Sequence, residues 1–334
     1  MAAARLGIPG PVAQARPRRD SFPGACELLP REALRYGEDI VPPIDSEQPG
    51  KVRVNHLAKI KQSGAKIAAL TAYDFLTAQM LDRAGIDLVL VGDSLANVVL
   101  GHPTTLPVTM DEMLHHAKAV ARGVTRALIV ADMPFLSYQT GVDDAVRNAG
   151  RMLKEGGVEA VKVEGAGPTL AVVERLVEVG IPVLGHLGYT PQSVHRFGSN
   201  IVQGKTAARA GELLNDAIAL EGAGAFAVVL ECVPSEVASW ITQRLTVPTI
   251  GIGAGPFCDG QILVLHDALG LTPWSPRFVK RYAELGGMIA EAAAAYIREV
   301  REGAFPGEEQ GYEMSVEELR ALGAAEGSGA QKAR

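Results

Sequence analysis

The chain contains few cysteines and no long apolar run. Its 334 residues include 3 cysteines, which lie far apart. Such a set forms no disulfide framework, and this predicts a reducing compartment, the cytoplasm. Glycine, aspartate or glutamate interrupts every apolar run before it reaches the ~20 residues that span a bilayer. We therefore predict no membrane-spanning helix and no membrane partner.

The chain also lacks an excess of positive charge, since its formal net charge is −6 at pH 7. Without a general attraction to polyanions, nucleic acid is not an expected partner. Patterns of the Cys-x-x-Cys or His-Glu-x-x-His type are missing as well. Structural zinc and zincin chemistry are therefore not indicated.

The first 50 residues differ from the rest of the chain. They are rich in proline, carry arginines with no acid before Asp20, and show neither helical nor strand periodicity. No apolar h-region is present, which argues against a secretory signal. We predict a disordered extension or an upstream start over residues 1–50, with a targeting peptide as the less favoured alternative. A catalytic domain is predicted over residues 51–310 and a C-terminal tail over residues 311–334.

One pattern then returns eight times. A short apolar run ends in a polar residue or glycine, and a loop and a segment of helical periodicity follow. Such runs are typical of strands buried on both faces, as in a parallel sheet. They span residues 66–72, 88–94, 127–133, 160–165, 182–188, 225–232, 247–254 and 262–267. Eight strands alternating with helices predict a single-domain (β/α)₈ TIM barrel, with an open doubly wound sheet as the alternative.

Helix signals support this alternation in most places. Thr109 and Glu112 have the spacing of a capping box ahead of a helix over residues 113–122. The longest helix is predicted over residues 276–302. Only residues 255–261 separate the seventh and eighth runs, too few for a complete helix. Either this crossover is short or the last strand is misplaced.

Polar side chains follow the apolar runs at their far ends. In this fold the carboxyl ends of the strands form the catalytic rim, and the opposite rim serves stability. The side chains at these ends are Asp93, Ser94, Asp132, Lys162, Glu164, His186 and Glu231. Each has a structural alternative, because an aspartate after a strand is commonly a helix cap and a lone histidine is commonly structural. Their occurrence at five strand ends favours an active site.

Four carboxylates, one lysine and one histidine should therefore converge on one opening. Lys162 and Glu164 are two residues apart and share a strand face. Carboxylates that face each other repel unless a cation lies between them. An all-oxygen set suits a hard ion, and Mg²⁺ is the natural choice. A glycine-rich segment over residues 251–255 resembles an anion loop, but a tight barrel turn explains it equally well.

Short motifs occur in order between about residues 52 and 309. They read LTAYD (70–74), VGDSL (91–95), ADMPF (131–135), VKVEG (161–165), GHLG (185–188), TPQS (190–193), LECVP (230–234) and GIGAG (251–255). Together they resemble the ketopantoate hydroxymethyltransferase family. The resemblance implies a Mg²⁺-dependent barrel of the phosphoenolpyruvate mutase/isocitrate lyase group, assembled as a homodecamer.

The resemblance also implies a reaction. A hydroxymethyl group would pass from 5,10-methylenetetrahydrofolate to 3-methyl-2-oxobutanoate through a Mg-stabilised enolate, giving 2-dehydropantoate in the first step of pantothenate and coenzyme A biosynthesis. The alternatives are a C–C lyase or phosphonomutase on the same barrel and a non-catalytic ligand-binding barrel. Those lyases and mutases carry a Cys-Gly-His loop, and none of the three cysteines here begins one.

Carried over by position, the resemblance gives the strand-end residues their roles. Asp93 and Asp132 would hold the Mg²⁺ and, through it, the substrate, with Glu164 beside the ion through water. Ser94 and Lys162 would bind the substrate carboxylate.

The remaining two residues would act on the carbon skeleton. His186 would lie near the developing enolate, and Glu231 would remove the C3 proton, for which a partly dry site raises the pKa of a carboxylate. Two departures from the family stand out. Ala96-Asn97 replaces the usual Gly-Met, and residues 308–312 read EEQGY where the family has EEHSF. Any role of that terminal histidine does not carry over.

Overall fold

The computed structural model describes residues 50–198 and 201–329, and in this part of the chain eight parallel strands close into one barrel. The strands are β1 (Ile67–Thr71), β2 (Leu88–Val91), β3 (Leu128–Asp132), β4 (Ala160–Glu164), β5 (Val183–Gly188), β6 (Ala227–Glu231), β7 (Thr249–Ile252) and β8 (Gly260–Leu263). Each strand pairs with the next, and β8 pairs with β1. The predicted TIM barrel is confirmed, and the open doubly wound sheet is excluded.

Twelve α-helices lie within the described ranges. They are α1 (Val54–Ser63), α2 (Phe75–Arg83), α3 (Leu95–Val98), α4 (Met110–Gly123), α5 (Val142–Lys154), α6 (Leu170–Glu178), α7 (Val194–Phe197), α8 (Ala207–Gly222), α9 (Ser235–Thr242), α10 (Leu265–Ala268), α11 (Leu285–Glu302) and α12 (Val316–Gly329). Short 3₁₀ segments occupy Gly167–Thr169, Pro191–Ser193 and Glu308–Gln310. The predicted capping box begins α4, where the Glu112 backbone N–H donates to Thr109 Oγ1 at 3.2 Å.

Two predicted boundaries near the end of the barrel were wrong. The last strand is β8, and the residues predicted as its second half form α10 instead. The short crossover before β8 is real, since the described residues there contain no helix. The long helix begins at Leu285 rather than at residue 276, because the backbone N–H groups of Tyr282 and Leu285 donate to carbonyls at the end of α10.

The strands separate two apolar layers, as the two-residue side-chain period requires. One cluster of buried residues fills the barrel with alternate side chains of the strands, among them Leu88, Leu128, Val130 and Leu184. The intervening residues, such as Val161, join the larger cluster under the helices. At the carboxyl ends of the strands, the same inward-facing positions carry polar side chains. The alternation of side chains along each strand therefore determines where the site lies.

The opposite rim is built for stability, as expected of this fold. The Asp82 carboxylate accepts the backbone N–H groups of Thr125, Arg126 and Ala127 just before β3. Burial alone would raise the pKa of Asp82, but these hydrogen bonds outweigh it and lower the pKa. Lys61 Nζ lies 3.0 Å from Asp259 Oδ2 on the same rim. No described helix here is both long and apolar enough to cross a membrane.

The predicted extension over residues 1–50 lies outside the described residues except for Gly50. The predicted C-terminal tail contains α12, which the sequence did not indicate, and its described side chains up to residue 323 are exposed. Helix α11 has no buried residue along its 18 positions.

Candidate active site

The structure brings all seven predicted site residues together. A cavity of about 340 Å³ opens at the carboxyl ends of the strands, and its lining includes every one of them: Asp93, Ser94, Asp132, Lys162, Glu164, His186 and Glu231. Five of the seven are buried, and only Ser94 and Glu231 are half-buried. The predicted convergence at the barrel mouth is therefore what the structure shows. The role of each residue remains a proposal.

Strand register sets the neighbours. Asp132 pairs with Lys162 across β3 and β4, and Glu164 pairs with His186 across β4 and β5. Asp93 follows the end of β2, and its backbone N–H donates to Asp132 Oδ2 at 2.9 Å. A Cβ atom at the preceding Gly92 would lie 2.8 Å from Ser94 Oγ, so a side chain there would displace the Ser94 hydroxyl. The backbone contact holds the two aspartates side by side.

Lys162 is the cation at the centre of the carboxylates. Its Nζ lies 2.9 Å from Asp132 Oδ1 and 4.0 Å from Glu164 Oε1. Burial opposes the charged form of this lysine, but the surrounding carboxylates outweigh burial and raise its pKa above the ordinary value. The ammonium group therefore stays charged and available to an anion.

The contact with Lys162 also assigns the tautomer of His186. Lys162 Nζ can only donate, and it lies 3.1 Å from His186 Nδ1, so Nδ1 accepts. Burial, with the charge of Lys162, lowers the pKa of His186, and the ring is neutral with its proton on Nε2. That nitrogen lies 3.2 Å from Glu231 Oε2, close but without the alignment of a full hydrogen bond. His186 thus faces Glu231 with an N–H group.

The carboxylates exceed the cations in this buried space. Burial, followed by repulsion from Asp132 and Glu164, raises the pKa of Asp93 well above its usual range. Burial also raises the pKa of Glu164 to about 7. Oε1 of Glu164 is fully buried and accepts no hydrogen bond from the described residues. An additional cation fits this charge balance.

The ligand set suits a hard ion that keeps water. Among the described residues, no three His, Cys, Asp or Glu side chains are arranged as a complete metal-binding group. Asp93 and Asp132 are adjacent through the backbone contact already described. Mg²⁺ is commonly held by one or two carboxylates and fills its other positions with water and substrate oxygens. The residues present therefore fit such an ion.

Three polar residues of the site were missed in the sequence. Tyr73 Oη lies 2.8 Å from Ser94 Oγ and holds that hydroxyl at the cavity wall. Gln192 and Tyr138 are both buried; Gln192 Nε2 donates to the Asp93 carboxylate, and Tyr138 Oη accepts the Glu164 backbone N–H and donates to Gln192. Tyr73 and Gln192 belong to the LTAYD and TPQS motifs, which could have singled them out. Tyr138 lies in a loop without any such signal.

The glycine-rich segment is a tight turn. Gly253 has a φ of 64°, and a Cβ atom there would lie 2.8 Å from the ring of Phe278. Gly255 has a φ of 74°, and its Cβ atom would lie 2.3 Å from Ser235 Oγ. Left-handed backbone and close packing account for both glycines. The barrel-turn interpretation therefore explains this motif without an anion.

The two departures from the family pattern have structural roles. Ala96 is fully buried in α3, so its methyl group packs in the core. Asn97 lines the cavity and its Nδ2 donates to the carbonyl of His102 at 2.8 Å. Gln310 Oε1 accepts the Gly307 backbone N–H at 2.8 Å and caps a short turn. Asn97 is therefore the departure that touches the site.

The cavity has a polar floor and an apolar upper wall. The upper wall comes from the loop after α10 and includes Trp274, Pro276, Phe278 and Val279. Trp274 is 75% exposed.

Comparisons with known proteins show what the chain is similar to. A family profile described as ketopantoate hydroxymethyltransferase matches residues 51–308. Proteins named 3-methyl-2-oxobutanoate hydroxymethyltransferase are similar to this chain. The one from Carboxydothermus hydrogenoformans is 54% identical over 81% of this chain and 99% of its own length. The one from Nitratidesulfovibrio vulgaris is 57% identical over 78% and 85%. A solved structure of 2,3-dimethylmalate lyase, a PEP mutase/isocitrate lyase superfamily member, shares the fold with a TM-score of 0.51, 20% identity, and coverage of 85% of this chain and 97% of its own.

Proposed function

The chain belongs to the ketopantoate hydroxymethyltransferase family, and on that premise we propose that it transfers a hydroxymethyl group from 5,10-methylenetetrahydrofolate to 3-methyl-2-oxobutanoate, giving 2-dehydropantoate. The observation that carries the proposal is the buried carboxylate cluster around Lys162, with Glu231 half-buried at its edge. The proposed compartment is the cytoplasm, in keeping with the free thiols of Cys232 and Cys258.

The floor of the cavity binds the α-keto acid. Lys162 offers a charged ammonium group and Ser94 a hydroxyl group to the substrate carboxylate. The Tyr73 hydroxyl lies within hydrogen-bond distance of the Ser94 hydroxyl and holds it in place. A charge-assisted contact of this kind is about twice as strong as a neutral hydrogen bond. These residues orient C3 of the substrate toward the side where Glu231 lies.

Asp93 and Asp132 are the residues that would hold Mg²⁺, with Glu164 reaching the ion through water. When bound, the ion supplies Lewis-acid stabilisation of the negative charge that develops on the keto oxygen. The protein contributes a dry pocket in which that charge is not screened.

Glu231 is the proposed base. The C3–H bond of the substrate breaks, the proton passes to the Glu231 carboxylate, and the electron pair forms the new bond between C3 and the one-carbon unit of the folate donor. Both C–N bonds of that unit break, a water molecule supplies the hydroxyl oxygen, and tetrahydrofolate leaves with the two freed nitrogens protonated. The Glu231 side chain is 17% exposed, so the carboxylate reaches the cavity but is mostly shielded from water. The neutral ring of His186 lies against Glu231 Oε2 and orients it without neutralising it.

Product analysis tests the proposal. Purified protein, 3-methyl-2-oxobutanoate, methylenetetrahydrofolate and Mg²⁺ together should give 2-dehydropantoate, detected by mass spectrometry, and omission of any one component should stop its formation. Cleavage of a C–C or C–P bond in place of transfer would favour the lyase or phosphonomutase alternative. A folded protein that leaves both substrates unchanged would support a ligand-binding barrel.

Replacing Trp274 should weaken use of the folate donor and spare the α-keto acid half of the reaction. An aromatic contact contributes about 0.5–1.5 kcal/mol, so Trp274→Ala should raise the KM for the donor by roughly 2- to 10-fold. Exchange of the substrate C3 proton, measured by NMR without donor, should stay unchanged. Tyr312→Ala removes an exposed aromatic ring outside the cavity lining and serves as the control. An unchanged donor KM in Trp274→Ala would remove this wall from the donor site.

We further propose that the chain assembles as a homo-oligomer, and the family resemblance makes the expected number of subunits ten. Helix α11 presents an apolar stripe at helical spacing, formed by Met288, Ile289, Tyr296, Ile297 and Val300, and all five are exposed. The outer positions Ala68 of β1 and Gln261 of β8 are exposed too. Contiguous apolar side chains exposed on one face of a helix are typical of subunit interfaces.

A charge placed in this stripe should therefore disrupt assembly. Ile297→Glu should lower the mass measured by size-exclusion chromatography with light scattering, because a carboxylate buried in an apolar interface is strongly unfavourable. Arg298→Glu, a charge change at the next position of the helix, should keep the wild-type mass. Equal masses for all three proteins would exclude α11 from the interface.

A further inference from the structure

Gln192 is buried behind the carboxylate cluster with every polar group of its side chain hydrogen-bonded. It lies in the 3₁₀ segment that follows β5, and it is 7% exposed. Nε2 donates to Asp93 Oδ2 at 3.0 Å and to the Met133 carbonyl at 2.9 Å. Oε1 accepts from Tyr138 Oη at 2.9 Å and from Gln139 Nε2 at 3.1 Å. An amide with two donors and two acceptor sites is thus fully satisfied.

These partners fix the direction of the amide. The Met133 carbonyl can only accept, so the nitrogen of the Gln192 side chain must face it, and the oxygen must face Tyr138. Tyr138 Oη accepts the Glu164 backbone N–H at 3.1 Å, and its own proton therefore goes to Gln192. One chain of hydrogen bonds runs from Glu164 through Tyr138 and Gln192 to Asp93. Reversal of the Gln192 amide would place its oxygen against two other acceptors, Asp93 Oδ2 and the Met133 carbonyl.

Gln192 also binds the second carboxylate through its backbone. Its N–H donates to Glu164 Oε2 at 3.0 Å. Gln192 therefore binds one oxygen of Asp93 and one oxygen of Glu164. The other oxygen of each carboxylate makes no hydrogen bond with Gln192. For Glu164 that oxygen is the buried Oε1 without a hydrogen-bond donor among the described residues. The loops after β2, β3 and β5 meet at this point.

We propose that Gln192, locked by Tyr138, is a positioning residue that orients Asp93 and Glu164 toward the cation. The inference rests on the proposed metal site. An apolar side chain of similar size at position 192 would leave Asp93 Oδ2, the Met133 carbonyl and the Tyr138 hydroxyl without this partner, and the Asp93 carboxylate would lose its fixed orientation, while the backbone contact with Glu164 would remain. Partners that orient metal ligands commonly change affinity by about 10- to 100-fold when they are removed.

Direct binding of Mn²⁺, followed by electron paramagnetic resonance without substrate, tests this role. Gln192→Leu should weaken Mn²⁺ binding by about 10- to 100-fold. Tyr138→Phe should weaken it less, because Gln192 keeps its contact with Asp93. If the hydroxyl acts through Gln192, the double variant should bind as weakly as Gln192→Leu and no more weakly. Gln243→Leu, an exposed glutamine on another face, should bind as the wild type does.

The outcomes separate this inference from the proposed function. Wild-type protein that binds no Mn²⁺ would overturn the metal site and the inference with it. Folded Gln192→Leu with wild-type affinity, or Tyr138→Phe and Gln192→Leu effects that simply add, would overturn the positioning role alone. Circular dichroism checks the fold of each variant. If Gln192→Leu fails to fold, Tyr138→Phe tests the positioning role instead. Removal of its one hydroxyl group should still lower the affinity for Mn²⁺ and alter the Mn²⁺ spectrum.

Discussion

Glu231→Gln should lose exchange of the C3 proton of 3-methyl-2-oxobutanoate while it keeps its fold and its affinity for Mg²⁺. The amide has the size and shape of the carboxylate but accepts no proton in this pH range. A positioned general base contributes about 10²- to 10⁴-fold to the rate, so exchange should fall by at least that lower factor. Glu231 is not among the proposed ligands, and His186 keeps a polar partner beside its Nε2.

Loss of the C3 proton can be followed by NMR in deuterated buffer without folate. This isolates proton removal from the later bond to the one-carbon unit. Glu236→Gln is the matched control, because it makes the same change five residues away on the exposed side of α9 and should exchange at the wild-type rate. Mg²⁺ affinity is measured on the same samples to show that the site is otherwise intact.

Exchange at the wild-type rate in Glu231→Gln would remove Glu231 as the base. His186 would then be the remaining group at the right place, but its lowered pKa and its contact with Lys162 make it a weak base. A complete loss of Mg²⁺ affinity would be equally informative, since it would place Glu231 among the groups that hold the ion. Only retained affinity with lost exchange supports the proposed role.

The location of the site could be predicted because a strand has a two-residue period and a barrel has one catalytic rim. Val161 and Val163 pack under the helices while Lys162 and Glu164 face the cavity, as the spacing required. The same pattern could not divide the carboxylates among ligand, partner and base. That division rests on the family resemblance, and the proton exchange and metal experiments test it.

What the sequence could not reveal are contacts between distant loops. Tyr138 and Gln192 are 54 positions apart, and Gln192 and Asp93 are 99 apart. No local period connects such residues, so the contacts of Gln192 could not be predicted from the TPQS motif. The start of α11 was wrong for a related reason. Residues 276–284 were predicted as the start of this helix, but the Tyr282 backbone N–H donates to the Ala268 carbonyl at the end of α10 instead.

Asp93→Asn should abolish Mg²⁺ binding and, with it, both catalysis and the stabilisation of the fold by the ion. The amide oxygen still accepts the hydrogen bond of Gln192, so the change removes charge and little else. Loss of a group that merely supports a ligand costs about 10- to 100-fold in affinity, and loss of a charged ligand should cost more than about 100-fold. Asp143→Asn, an exposed aspartate on α5, is the control and should behave as the wild type.

Thermal unfolding with and without Mg²⁺ distinguishes loss of a ligand from damage to the fold. A ligand that binds only the native state adds about 2.7 kcal/mol to the free energy of unfolding at 100 times its Kd. The wild-type Tm should therefore rise with Mg²⁺, and the Tm of Asp93→Asn should not. Without Mg²⁺ the substitution should have the opposite effect on the stability of the fold. Burial and the charges of Asp132 and Glu164 raise the pKa of Asp93, so its ionised form destabilises the metal-free fold at neutral pH.

The neutral amide removes that destabilising charge, and metal-free Asp93→Asn should unfold at the same temperature as the wild type or above it. A variant damaged in its packing would unfold at a lower temperature in both conditions, and this pair of measurements tells the two cases apart. An equal rise in Tm for wild type and variant would exclude Asp93 as a ligand. Full transfer activity of the wild type in EDTA would go further, because the carboxylate cluster would then have to work with Lys162 as its only cation.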